Sequence, residues 1–315
     1  MKRLSTLLAA LILVLAAASW AGAAGAEAAR AEAAGAQQAG VTPGAAESAT
    51  AEAAAGEAAQ DGPTREVRTL RAGTPDETEV YVIRAAEPGP TVMITGGVHG
   101  DETSGRLAAE AIKDWPIDRG TLVVLPKAHA SAVARGRRTG TGGVDLNRQF
   151  PAGKEPLTAL AREIWAVVEE FQPEALLDLH EGWGIYGRHD SVGQTLITYA
   201  AGDARRFAAS AAAYVTTHHV RDRRTYRFRV VGPPVAGSLA RKAGADLGIP
   251  AFIAEATAYK TRLDTRVRWH KAFAEEFLRW YGLIERGERI VPEQYRTAAA
   301  GSTRDRPTAL RGRRK

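Results

Sequence analysis

Gly96-Gly97-Val98-His99-Gly100-Asp101-Glu102 is the stretch on which the reading of this chain turns, because of what lies on either side of it. Before it, Thr91-Val92-Met93-Ile94 is a short apolar, β-branched run, the pattern of a buried strand. After it, Ser104 to Trp115 repeats apolar positions at helical spacing. The heptapeptide therefore reads as the turn leaving a strand's carboxyl end, where open α/β sheets place their ligands. An imidazole nitrogen and a carboxylate three residues apart in such a turn reach one Zn²⁺ from the same side. Alone, His-x-x-Glu reads equally well as a turn with a surface acid and a capping residue.

Two further runs change the weight of that motif. Ala175–Leu179 is an apolar strand that delivers His180, and Ala251–Ala254 is another that delivers Glu255. His99, Glu102 and His180 make a His₂Glu set, which suits a catalytic zinc site with one position open to water. A glutamate after a buried run is costly to desolvate unless paired or functional. Glu255 thus has the profile of a general base with a raised pKa. Further strands are expected over Thr64–Leu70, Glu79–Ala85 and Thr121–Leu125, and helices over Leu157–Phe171, Asp203–Thr217 and Leu263–Ile284, with another running from a Ser238 cap to Leu247. Strands alternating with helices imply an α/β fold. Its sheet would be mixed and largely parallel, with helices on both faces, in a three-layer sandwich.

With Gly-Val-Asp-Leu-Asn-Arg-Gln-Phe-Pro at 143–151, Asp-Leu-His-Glu at 178–181 and Ile-Ala-Glu-Ala at 253–256, four ordered motifs are present. From about Thr91 to Ile284 the chain resembles the carboxypeptidase A-like zinc carboxypeptidases, and among them the succinylglutamate desuccinylase/aspartoacylase-like branch. The resemblance implies one Zn²⁺ per chain, held by His99, Glu102 and His180. It implies that Glu255 takes a proton from the attacking water and passes it to the leaving amine. Asn147 and Arg148 match the pair that grips a substrate carboxylate, a task that suits the two parallel donors of a guanidinium. Asp145 matches an acid that orients the first zinc histidine. Arg138 matches the arginine that polarises the scissile carbonyl. Arg135-Gly136-Arg137-Arg138 offers three arginines, so that last assignment can slip within the loop. His129-Ala130 departs from the Asn-Pro of many relatives, and Tyr226 and Tyr259 are the only candidates for their mobile tyrosine.

Function classes are narrowed by composition. With no cysteine in 315 residues, thiol nucleophiles, cysteine-held metals and disulfides are excluded. Lys2 and Arg3 precede a weakly apolar run to about Ala24 and then small residues, so residues 1–26 read as a secretory signal peptide, the rival being an uncleaved anchor. Residues 27–62 are an Ala/Gly/Glu-rich linker that cannot bury a core. Residues 63–285 suit one zinc hydrolase catalytic domain, and residues 286–315 form a basic tail that reads as disordered. The net charge of +6 is matched by that tail alone, with nine basic residues against three acidic, so the basic pI does not argue for nucleic-acid binding. The tail suits an anionic envelope surface. A secreted, periplasmic or cell-envelope location is expected.

The leading expectation is a zinc-dependent hydrolase cleaving an amide beside a free carboxylate, as a metallocarboxypeptidase acting on peptides or cell-wall peptides. An N-acyl amino acid deacylase is the alternative within that chemistry. From another class, a non-catalytic zinc-containing surface-binding protein would keep the pocket without turnover. Glu181 reads as a supporting or surface residue. The arginines at 223, 224, 227 and 229 form a basic loop that either lines a substrate mouth or is merely solvated. His129, His189, His218, His219 and His270 receive no role.

Overall fold

A computed structural model describes residues 62–199 and 202–285. The signal peptide, nearly all of the linker and the basic tail expected from sequence lie outside the described residues.

Eight strands form one mixed sheet: β1 (Thr64–Leu70), β2 (Thr78–Arg84), β3 (Glu87–Gly96), β4 (Arg119–Leu125), β5 (Ala175–Gly182), β6 (Thr195–Tyr199), β7 (Arg229–Val231) and β8 (Ala251–Thr257). Their spatial order is β1-β2-β4-β3-β5-β8-β6-β7. The central β4, β3, β5 and β8 run parallel, and β1, β2 and β6 supply the antiparallel pairings towards the edges. The helices are α1 (Thr103–Ile112), α2 (Ala130–Arg135), α3 (Ala159–Phe171), α4 (Asp203–His219), α5 (Leu239–Asp246) and α6 (Leu263–Trp280).

The central strands are apolar on both faces because both are covered. Val92, Ile94, Leu177, Leu179, Phe252 and Ala254 point into one core with side chains of α1, α4 and α6. The alternating set, including Met93, Leu176, Ala251 and Ile253, packs with α3 and α5. This is the three-layer sandwich the alternation of elements implied. Ser238 and Thr158 cap α5 and α3 through their side-chain oxygens, as the sequence signal for α5 required.

Several elements differ from expectation. β5 and β8 run on to Gly182 and Thr257, so His180 and Glu255 sit inside the ladder rather than on loops beyond it. The extension holds because β6 pairs along β8 from Ala251 to Glu255. β6, β7 and α2 are not signalled by sequence: β7 has three residues and α2 six, too short for a periodic pattern. α6 stops at Trp280 and α1 at Ile112, each short of the apolar run that suggested it. Among the described residues no helix is long and apolar enough to cross a membrane.

Candidate metal centre

The turn after β3 owes its shape to two glycines. Gly97 adopts φ +70, the left-handed region that favours glycine. A Cβ at Gly100 would lie 1.8 Å from the carbonyl oxygen of Ala132, so the turn packs directly on the backbone of α2. The backbone N–H of Gly100 donates to the carbonyl of Arg137 at 2.9 Å, which ties the arginine-rich loop to the histidine turn.

On this frame His99, Glu102 and His180 converge. One ligand atom from each lies within 4.8 Å of the others. Nδ1 of His99 is 2.6 Å from Glu102 Oε1, and Nδ1 of His180 is 2.9 Å from Glu102 Oε2. The two rings meet edge to face with centroids 4.9 Å apart. Each far nitrogen faces a further carboxylate: His99 Nε2 lies 3.1 Å from Asp145 Oδ1, and His180 Nε2 lies 2.8 Å from Asp178 Oδ2. Such partners fix the ring orientation and hold the proton on Nε2, leaving Nδ1 as the donor to a cation. Thr95 Oγ1 donates to the other oxygen of Asp178 at 2.5 Å, and the backbone N–H of Glu181 donates to Glu102 at 2.9 Å.

The electrostatics follow from burial among these charges. Burial opposes a charged imidazole at His180, but Asp178 and Glu102 outweigh it and push the ring well above its usual range. At His99 burial is likewise outweighed, by Asp145 and Glu102. Burial would raise Glu102, yet the two imidazoles hold it well below the usual carboxylate range. Three carboxylates around two imidazoles thus call for positive charge at the centre. Two neutral Nδ1 atoms and a carboxylate, with no thiol in the chain, form a donor set that fits Zn²⁺.

Glu255 stands beside this set. It pairs in register with His180 on β5 and with Thr195 on β6, so the three side chains share one face. Glu255 is 8 % exposed, and burial pushes its carboxyl up to about 8. Its Oε2 has no hydrogen-bond partner. A cation at the neighbouring centre acts in the opposite direction and favours the ionised form.

Arg138 is the arginine of its loop that reaches the cluster. Its Nε lies 3.1 Å from Asp145 Oδ2, and its Nη1 lies 3.3 Å from His99 Nδ1 and 3.4 Å from Glu102 Oε1. Asp145 also accepts the backbone N–H of Asn147 at 2.9 Å, which holds the Asp-Leu-Asn-Arg turn against His99. Asn147 is buried with Oδ1 unpartnered, whereas Arg148 is exposed and donates to the carbonyl of Asn147 at 2.8 Å. Glu181 points the other way: its carboxylate accepts the N–H of Ser104 and pairs with Arg266 Nε at 3.2 Å, on the side of α1 and α6. Tyr226 reaches the carbonyl of Lys260, and Tyr259 packs on His189 with centroids 4.7 Å apart.

Two residues near the centre carried no role in the sequence reading. Asp178 lies inside an apolar run, and its signal was its place two residues before His180, on the same strand face. His270 on α6 is buried against the His180 backbone, and its helical sequence context gave no sign of that neighbour. A cavity of about 870 Å³ lined by Leu107, Val267 and Ala272 contains none of the site residues.

Comparison with known proteins agrees with this geometry. A curated relative, the N-alpha-acetyl-L-2,4-diaminobutyric acid deacetylase of Halomonas elongata, is 33% identical over 114 residues, 33% of this chain and 31% of that protein. The chain thus spans about a third of the curated relative it matches. Among solved structures, a Gln46His variant of the cell shape determinant protein Csd4 of Helicobacter pylori aligns with TM-score 0.56 at 20% identity, covering 68% of this chain and 57% of that one. Csd4 is described as a D,L-carboxypeptidase and has been solved with a tripeptide and with mDAP. A succinylglutamate desuccinylase/aspartoacylase from Rhodobacter sphaeroides aligns with TM-score 0.52 at 21% identity, covering 72% and 67%. The match that bears most directly on the site spans His99, Glu102, Asp145 and His180: over residues 88–219 the chain is similar to the succinylglutamate desuccinylase/aspartoacylase catalytic domain.

Proposed function

We propose that this chain is a zinc-dependent hydrolase that cleaves an amide bond beside a free carboxylate, acting as a carboxypeptidase on peptides, those of the cell wall included. The observation that carries the reading is Glu255, buried, in register with His180 and with Oε2 unpartnered, beside a His₂Glu set. His99 Nδ1, Glu102 and His180 Nδ1 would hold one Zn²⁺. When bound, the ion supplies Lewis acidity towards the scissile carbonyl and lowers the pKa of water.

The rest is done by the chain's own side chains. Glu255 accepts a proton from the attacking water and delivers it to the leaving amine, so that water and amide become an acid and an amine. Arg138 turns its guanidinium from Asp145 and Glu102 to the developing oxyanion. Asn147 and Arg148 take the substrate carboxylate, Asn147 by donating from its side-chain amide nitrogen and Arg148 through an exposed fork. Asp145 and Asp178 orient the two imidazoles.

The likeness to the Halomonas deacetylase favours a second reading, hydrolysis of an N-acyl amino acid by the same residues. Export rests on Lys2, Arg3 and the apolar run after them, and it favours the peptide reading. The zinc-loaded protein, assayed against short peptides and N-acyl amino acids with and without chelator, tests both. Chelator-sensitive release of a carboxyl-terminal residue supports the first reading, and release of an acyl group the second. If zinc and ligand bind but no carboxylate-bearing amide is hydrolysed, the non-catalytic binding protein is the correct reading.

A further inference from the structure

The row of paired residues that contains His180 and Glu255 continues across the sheet. Glu255 pairs with Thr195 on β6, and Thr195 pairs with Arg229 on β7. Residues paired in register point to the same face, so Arg229 shares the face of Glu255 two strands away, about 10 Å at the usual strand spacing. Val230, its neighbour in sequence, packs into the opposite core, as the alternation requires.

Arg229 is not alone there. With Arg188, Arg224 and Arg227 it lines a cavity of about 440 Å³ that no acidic residue lines. Arg188 comes from the loop after β5, Arg224 and Arg227 from the loop after α4, and Arg229 from the start of β7. Among the described residues none of the four forms an ion pair, although Arg188 acts at longer range on Asp222, whose carboxylate is engaged by Thr225. The loop is not slack. Buried Gln194, beside Thr195, donates from Nε2 to the carbonyls of Thr225 at 3.4 Å and Arg227 at 3.3 Å. Four like charges collected on one concavity without an ion-paired partner repel each other, and that arrangement is relieved by an anionic ligand.

We propose that this cavity is a second anion subsite of the substrate cleft, one that selects peptides bearing an additional carboxylate on the acyl side of the scissile bond. The inference rests on the hydrolase reading above and deepens it. The Asn147–Arg148 pair takes the carboxylate next to the cleaved amide, and the arginine cavity takes a second one roughly two strand spacings from Glu255. A guanidinium fork matches a carboxylate with two parallel hydrogen bonds, and four forks on one wall tolerate variation in where that carboxylate sits.

The test uses the full-length, zinc-loaded chain and two peptides identical except for Glu or Gln at one position on the acyl side of the scissile bond. Wild type is expected to favour the Glu peptide about tenfold in kcat/KM, carried by KM. Arg227→Gln/Arg229→Gln is expected to bring that ratio close to one, while Arg227→Lys/Arg229→Lys retains part of it. Exposed arginines are seldom needed for folding, and a general loss of fold would lower both peptides together and leave the ratio unchanged. Equal cleavage of the two peptides by wild type overturns the proposal, as does an unchanged ratio in a Gln variant that still cleaves the uncharged peptide at the wild-type rate. If no amide is cleaved, calorimetric binding of the same two peptides decides the subsite separately from the hydrolase reading. Discrimination lost in the Gln variant supports it. Equal binding of the peptides, or binding of inorganic phosphate alone, overturns it.

Discussion

The metal centre and the arginine cavity lie along one row of the same sheet, and they treat charge in opposite ways. Around His99 and His180 every far nitrogen faces a carboxylate, and those carboxylates are themselves held by Thr95, Asn147 and Arg138. In the cavity four guanidiniums share a wall that no carboxylate lines, and none of them forms an ion pair among the described residues. A closed network of that kind fixes atoms to the tolerance that chemistry demands. Uncompensated charge fixes little, but it discriminates between ligands by sign. On the proposed reading, the sheet sets a rigid catalytic end beside an open selecting end.

The contrast breaks most severely if the closed network loses a member that faces the centre. His99→Ala removes one of three ligand atoms and leaves Asp145 facing a void. Zinc content is expected to fall from one per chain to near zero, with activity at background. Metal analysis after dialysis checks this, and a variant that keeps its metal refutes the assigned ligand set.

Glu255→Gln makes the next largest change. It preserves shape and leaves the three ligands in place. General-base contributions run at about 10²–10⁴-fold, so kcat is expected to drop by that order with metal content unchanged. Near-normal turnover removes Glu255 from the role. Glu181 cannot then inherit it, because its carboxylate is committed to Ser104 and Arg266 on the other face.

Asp178→Asn touches the network one bond further out. The amide keeps the size of the side chain but no longer secures the His180 tautomer as a carboxylate does. Metal affinity is expected to weaken by roughly 10–100-fold, the usual effect of losing such a partner. Competition with a fluorescent zinc chelator measures it. An unaltered affinity makes Asp178 a packing residue, and the closed end of the sheet is then less tightly specified than its geometry implies.

What was legible in the sequence follows the same division. Apolar runs that lead into a chemical residue announce themselves, since a run that gives way to His99, His180 or Glu255 sets an ionisable group at the edge of the core, where desolvation is costly unless a partner or a ligand offsets it. β1 was read to its exposed limits because its turn is marked by Gly73, Pro75 and Asp76. β3 begins earlier than its apolar run because Pro88 and Pro90 hide its first residues, a register irregularity on the way to Thr91 accommodating them. β7 and the arginine cavity were not readable as a unit. Arg188 and Arg229 lie 41 positions apart, and only the antiparallel return of β6 brings their loops to one wall. Asp178 was hidden by its own burial, since an acid within an apolar strand breaks the pattern without saying why.

His270 offers the finest test, because it sits under the closed end yet belongs to none of its hydrogen bonds. It is 1 % exposed, and burial, with the charges of His180 and Arg266 adding to it and Glu102 opposing, pushes its pKa down to about 3. The ring is thus neutral in the fold, whereas in the unfolded chain it titrates near 6.5. Below that pH the unfolded state binds the extra proton, so His270 withdraws stability as pH falls through 6.5, by up to about 1.4 kcal/mol per pH unit until about 3. In the metal-free chain His99 and His180 act in the opposite sense. Their raised pKa values add stability below 6.5 that is lost as pH rises through those values. The contribution of His270 is isolated by difference. In urea melts of the zinc-loaded protein at pH 7.5, 6.0 and 5.0, His270→Leu is expected to gain on wild type at each step down, by about 1–2 kcal/mol in all. A difference that does not vary with pH would mean that His270 shares a proton with the network above it, and the closed end would then extend through the sheet into α6.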